Sequence, residues 1–168
     1  VSVVAIGAHY NHDGNDYDSG HVRIYKNDNG IWRQVGDGID GEAAYDWSGS
    51  SVALSADGSV VAIGAYGNDT HGNNSGHVRI YRNNSGTWIQ IGEDIDGEAV
   101  FDNSGYSVSL SSDGSVVAIG APDNNGNDSG NVRIYQSSNL VSIKENSTAV
   151  STFNATDSDA GDTITWSL

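Results

Sequence analysis

Ser59-Val60-Val61-Ala62-Ile63-Gly64-Ala65 returns unchanged from Ser115 to Ala121 and already stands near the start of the chain, from Ser2 to Ala8. The spacing is 57 positions (3 to 60) and then 56 (60 to 116). A second block keeps nearly the same step: His21-Val22-Arg23-Ile24-Tyr25, His77-Val78-Arg79-Ile80-Tyr81 and Asn131-Val132-Arg133-Ile134-Tyr135. Trp32 and Trp88 repeat, as do Asp40-Gly41-Glu42-Ala43 and Asp96-Gly97-Glu98-Ala99. Recurrence at a fixed period of this length means stacked copies of one supersecondary unit, each burying its apolar face against its neighbours.

Within one copy, Val60 to Ala65 is a short, continuously apolar run, the pattern of a central strand covered on both faces. Ser51 to Ser55 alternates, and Asp57-Gly58 between the two is a dipeptide that accepts positive φ in a tight hairpin. His77 to Tyr81 alternates again, with Val78 and Ile80 on one face and His77, Arg79 and Tyr81 on the other. Asn84-Ser85-Gly86 then turns the chain into Trp88 to Ile91. No helical period appears, and Pro122 is the one proline. Four antiparallel strands per copy, packed face to face, describe the blade of a β-propeller.

The 168 residues carry 7 Lys plus Arg against 22 Asp plus Glu, a net charge of −15. Such a surface repels nucleic-acid phosphates and anionic membranes and favours cations, although an acidic coat also serves solubility alone. With no Cys there is no disulfide, thiolate zinc site or Cys nucleophile. No stretch reaches the about 18 apolar residues of a transmembrane helix. The sequence has no Met, and Val1-Ser2 stands where later copies carry Gly58-Ser59 and Gly114-Ser115. The expectation is a fragment of a longer chain.

Ser48 to Ala65 and Ser104 to Ala121 both follow Ser-Gly-x-Ser-Val-x-Leu-Ser-x-Asp-Gly-Ser-Val-Val-Ala-Ile-Gly-Ala, with Pro122 completing Gly-Ala-Pro and Gly-x-Val-Arg-Ile-Tyr following. This resembles the FG-GAP repeat of integrin α chains and many surface proteins, over roughly residues 1 to 136. The resemblance implies propeller blades. The family's Phe-Gly is Ser48-Gly49 and Ser104-Gly105 here, and its calcium loop has shrunk to Asp57-Gly58 and Asp113-Gly114. A cage of six to eight oxygens cannot be built from one carboxylate in a two-residue turn, so no integrin-type calcium site is expected there. Propellers need about four to eight blades, so three copies form an incomplete ring, completed by further blades of a parent chain or by a homo-oligomer.

After Tyr135 no fourth strand is expected for the third copy, and Gln136 to Asn139 reads as a polar linker. Val141 to Asn146, Ala149 to Asn154 and Ala155 to Leu168 resemble the first part of a cadherin-like repeat, a β-sandwich. The division expected is 1–136 for the blades and 137–168 for the linker and partial cadherin-like segment. That resemblance implies calcium at Glu145, Asp157 and Asp159, with Asp162 where the family has Asn. Alternating carboxylates in a glycine-containing turn can converge on one cation.

Asp13 to Asp18, Asn68 to His71 and Asp123 to Asp128 occupy one loop in successive copies. Each offers oxygens for calcium, and each also has the composition of an irregular turn. Asp123, Asn125 and Asp128 are the strongest set. The acidic turns Asp37 to Glu42 and Glu93 to Glu98 offer either a metal turn or partners for the strand arginines Arg23, Arg79 and Arg133, and the pairing is favoured, since a buried guanidinium demands a carboxylate. Trp32 and Trp88 are expected in the core, as are His21 and His77. Trp47, replaced by Asn103 in the next copy, either stacks on a sugar or caps a blade edge. No Gly-x-Ser-x-Gly elbow occurs. The expected function is therefore non-catalytic: calcium-supported adhesion or scaffolding, secreted or at the cell surface, with a cell-surface protein or glycan as partner. The alternative is a lectin-like module.

Overall fold

The computed structural model describes residues 2–12, 17–123 and 129–136, with the backbone of 139–143. Asn125, Asp128, Glu145, Asp157, Asp159, Asp162 and nearly all of the cadherin-like segment lie outside the described residues. The described chain is all-β, with no helix. The first sheet holds β1 (Val3–Ala8), β2 (His21–Asp28), β3 (Ile31–Gln34) and β4 (Ile39–Asp40). The second holds β5 (Ser51–Leu54), β6 (Val60–Ala65), β7 (His77–Asn84), β8 (Thr87–Gln90) and β9 (Ile95–Asp96). The third is a meander of β10 (Ser107–Leu110), β11 (Val116–Ala121), β12 (Asn131–Gln136) and β13 (Asn139–Ile143). All pairings are antiparallel, and the register repeats: Ala5 faces Ile24, Ala62 faces Ile80 and Ala118 faces Ile134.

The sheets pack face to face, as expected of propeller-type blades. One cluster joins Val22, Ile24 and Ile39 of the first sheet to Val61 and Ile63 of the second. Another joins Ala62, Val78 and Ile95 of the second to Val117 and Ile119 of the third. Among the strands whose burial is described only β6 is buried along its whole length, being the central strand of the sheet that has a described sheet on each face. Turns supply the connections. Asn29-Gly30 and Ser85-Gly86 both take positive φ at two consecutive residues, the type I′ geometry that matches strand twist. In the β5–β6 turn, Asp57 accepts hydrogen bonds from Ser55 Oγ (2.7 Å), Ser59 N (2.9 Å) and Ser59 Oγ (2.8 Å), which hold its pKa at about 2. Asp113 is fixed the same way by Ser111 and Ser115.

Three expectations are corrected. Ile95–Asp96 and Ile39–Asp40 are short strands rather than parts of a turn: the edge strand leaves β7 at Gly92 (φ +77) and returns to pair with His77 and Val78, anchored by the buried Ile95. The third sheet has a fourth strand, since β13 pairs with β12 through a register shift between Ile134 and Gln136. An edge strand is recruited by backbone hydrogen bonds, so its side-chain pattern announces it weakly. Trp32 is 47% exposed, because no described sheet covers its side of the first sheet.

The sheets approach most closely at glycines. A Cβ on Gly7 would run into Gly49 O, and one on Gly64 into Gly105 O, both rigid backbone. At Gly120 the nearest obstacle is Ser107 Oγ, a rotatable hydroxyl, with Cβ of the same residue at 3.7 Å. Gly64→Ala should therefore cost about 2 kcal/mol or more by overpacking, while Gly120→Ala should cost less than about 1 kcal/mol. Urea unfolding midpoints of the two variants would show the difference.

Candidate functional site

Two of the three repeated strand arginines, Arg79 and Arg133, face a seam between sheets. Arg79 on β7 donates from Nε to Asp94 Oδ1 (2.9 Å) and from Nη2 to Asp94 Oδ2 (2.7 Å). Asp94 stands in the kink between β8 and β9, and Gln90 Nε2 donates to it at 2.7 Å. Nη2 of Arg79 also pairs with Glu42, which the first sheet sends across the seam. Arg133 on β12 repeats the cross-seam arrangement: Glu98 of the second sheet lies 3.9 Å from Nη1, while Nη2 donates to Asp96 O (2.6 Å) and Ser104 Oγ (2.9 Å). Arg23 on β2 is exposed and has no ion pair or hydrogen bond among the described residues. Gly38 stands where the second sheet has Asp94, and no described sheet precedes the first to send a glutamate.

Burial disfavours the charged guanidinium of Arg79, but the hydrogen bonds it donates to Asp94 and Glu42 outweigh it and raise its pKa. Its hydrogen bonds in turn hold Asp94 below the usual carboxylate range against partial burial. His77, 3% exposed, is pushed down by burial and by the nearby Arg79 charge, despite Asp94, Asp46 and Asp96. Its Nδ1, 3.8 Å from Asp94 and without a hydrogen-bond partner, therefore belongs to a neutral ring and not to an ion pair.

Glu42, His77 and Asp94 each bring one ligating atom within 4.8 Å of the others, the spacing of a metal cluster. The guanidinium of Arg79 already bridges both carboxylates at that place. A cation there would have to displace a buried, doubly hydrogen-bonded charge, so the arrangement is an inter-sheet clasp.

Of the loop candidates, Asp123 is described, and its Oδ2 accepts from Asn103 Nδ2 at 2.9 Å. In the middle copy the loop oxygens are spent on the backbone. Asn68 Oδ1 accepts from Thr70 N (2.9 Å) and Asp69 Oδ1 from Asn74 N (2.7 Å). Asp18 lies against His12 at 3.2 Å. Trp47 packs its ring against Gly67 and 5.0 Å from Tyr66, which lies 5.4 Å from Tyr106. Trp47 is half-buried at the loop that follows β6, and Tyr45 and Tyr106 are exposed aromatics near it.

Two buried carboxylates escaped the sequence reading. Asp102 Oδ2 accepts from Glu98 N (3.0 Å) and Ala99 N (2.9 Å), and Asp46 Oδ2 accepts from Ala43 N (3.1 Å). Burial raises the Asp46 pKa although Asn68 and the Ala43 amide oppose it. They tie down the loops that carry Glu42 and Glu98 across the seams. The repeated Asp-x-Ser-Gly at 46–49 and 102–105 was the available signal. The same segment staples consecutive sheets: Ser48 N donates to Ser19 O (2.9 Å) and Ser104 N to Ser75 O (3.0 Å).

Residues 39–81, from β4 through most of β7, match the FG-GAP repeat family, which supports the FG-GAP resemblance of this repeat unit. No curated protein matches the chain. No helix among the described residues is long and apolar enough to cross a membrane.

Arg79→Leu should strand two carboxylates at a seam and cost about 2 to 3 kcal/mol, below the range for fully buried pairs because Glu42 stays hydrated. Arg23→Leu should stay within about 0.5 kcal/mol, as measured by urea unfolding of both variants. The lowered pKa of His77 gives a second expectation. Below pH 6.5 the unfolded chain takes up a proton that folded His77 resists, so stability falls as pH drops from 7 to 5. His77→Asn, the residue found in register at Asn131, should flatten that slope in a series of unfolding midpoints against pH.

Proposed function

We propose that this protein is a non-catalytic adhesion or scaffold module, secreted or at the cell surface, in which calcium supports association through the acidic loops. The observation that carries this reading is the open outer face of the first sheet. Val4 (38% exposed), Ile6 (54% exposed) and Arg23 stand there in register with Val61, Ile63 and Arg79, which the second sheet buries against its neighbour. Two exposed apolar side chains of one strand beside a guanidinium with no partner among the described residues form a surface suited to another blade of the same type, from a longer parent chain or a second copy. In the blades described, the missing partner is a glutamate at the Glu42 or Glu98 position.

With a net charge of −15, chains of this kind repel one another, and a divalent cation bound by acidic loops relieves that repulsion. The ligands proposed are Asp123, Asn125 and Asp128 in the loop after β11, and Glu145, Asp157, Asp159 and Asp162 in the cadherin-like segment. The test is thermal unfolding and sedimentation of the chain in millimolar calcium and in excess chelator. Calcium at about 100 times its Kd should add about 2.7 kcal/mol, or roughly 5 to 10 °C in Tm, and strengthen association. Asp157→Ala or Asp123→Ala should abolish the gain. Identical Tm and sedimentation in both buffers would reject calcium support.

A further inference from the structure

The glycine approach between the second and third sheets brings two phenols together. Gly64 lies against the Gly105 carbonyl, and Tyr66 and Tyr106 follow these glycines by two residues and by one. Their ring centroids are 5.4 Å apart with planes inclined by 52°, within contact range for two aromatic rings. The backbone is fixed on both sides, since Gly67 N donates to Asp46 O (3.2 Å) and Tyr106 N to Asn103 O (3.1 Å). Tyr106 is 57% exposed, so oxidants reach it. Tyr66 is half-buried, and the ring of Trp47 lies 5.0 Å from it. Burial raises the Tyr66 pKa and the nearby Tyr10 and Tyr106 raise it further, so Tyr66 holds its proton at neutral pH.

The fold does not require this pair. In register between the first and second sheets, where Gly7 meets Gly49, the same two places hold His9 and Ser50. Composition then directs oxidation to it. With no Cys and no Met, the chain has no sulfur to take up oxidant first, which leaves phenols and indoles. An electron drawn from Trp47 is replaced from Tyr66, its neighbour in the ring cluster.

We propose that Tyr66 and Tyr106 are a site of oxidative cross-linking, joined ring to ring as dityrosine by a peroxidase using hydrogen peroxide. Each phenol gives up one electron and one proton, and the peroxide takes both pairs and leaves as two waters. The two radicals pair in a carbon–carbon bond between ring positions ortho to the hydroxyls. The hydrogen on each coupled carbon then moves to its phenolic oxygen by tautomerisation, so the product has two hydrogens fewer than the starting chain. The bond ties the second sheet to the third across about 40 residues of chain and holds the seam by limiting the freedom of the unfolded state. None of this depends on calcium.

The test treats the whole chain, at micromolar concentration, with peroxidase and hydrogen peroxide and maps the products by tryptic digestion and mass spectrometry. The expected product is a monomer short of two hydrogens in which peptide 34–79 is joined to peptide 83–133, with fragmentation placing the bond at Tyr66 and Tyr106. Tyr66→Phe and Tyr106→Phe keep the ring packing. Each should lower the yield of linked monomer at least about 10-fold, because partners held in contact couple far faster than partners that must collide. Links confined to dimers and larger species would overturn the site, as would a bond at Tyr10 or Tyr45 undiminished by these substitutions. No link at all, with or without oxygen added at Trp47, would overturn it as well.

Discussion

The stack depends on how closely successive sheets approach where their glycines meet. Gly7 lies against the Gly49 carbonyl and Gly64 against the Gly105 carbonyl, at distances that leave no room for a Cβ. Gly49 N donates to Gly64 O at 3.0 Å, tying the leading edge of the second sheet to its own central strand. With that approach fixed, Val61 and Ile63 reach one cluster while Ala62 reaches the other. A sheet held further away would lose both sets of contacts, because dispersion and apolar burial fall off within a fraction of an ångström of the packing distance.

The charges follow from the same packing. A strand arginine brought into a seam loses water, and the loss is offset only by carboxylates placed at the right height. The second sheet supplies Asp94 from its own edge and receives Glu42 from its neighbour. The third sheet uses Glu98 together with the Asp96 carbonyl and the Ser104 hydroxyl. Asp46 and Asp102 sit behind these loops, giving up their own solvation to hold the glutamates' backbone in place. Acidity that reads in the sequence as a calcium signal is therefore divided in the structure: some of it clasps sheets, some closes turns.

The repeat and its strand order were legible because burial on both faces and burial on one face leave different hydrophobic patterns, as Val60 to Ala65 and His77 to Tyr81 show. The clasp was legible at Arg79 and Arg133, because an arginine on a buried strand demands a carboxylate; Arg23, expected to pair likewise, is exposed and has no such partner among the described residues. The short strands β4 and β9 were not legible, since two residues carry no period and both lie in segments, Asp37 to Glu42 and Glu93 to Glu98, that read as acidic turns. Strand β13 was hidden because it begins in a polar stretch, Gln136 to Asn139, that reads as a linker, and its register with β12 shifts between Ile134 and Gln136. Asp46 and Asp102 looked like loop polarity because a buried carboxylate and a solvated one are spelled alike.

One hexapeptide separates what each level decides. Val-Val-Ala-Ile-Gly-Ala forms a strand at 3–8, 60–65 and 116–121, and its composition alone determines that: β-branched residues in a run, with a glycine where another backbone must come close. Its environment differs each time. Ile6 is 54% exposed, whereas Ile63 and Ile119 are buried, although all three have the same neighbours in sequence. The sequence by itself determined the strand, the turn and the faces to be covered. Which faces are covered and which arginine finds its carboxylate were decided by the tertiary structure, because burial belongs to a sheet's neighbours and not to its own residues.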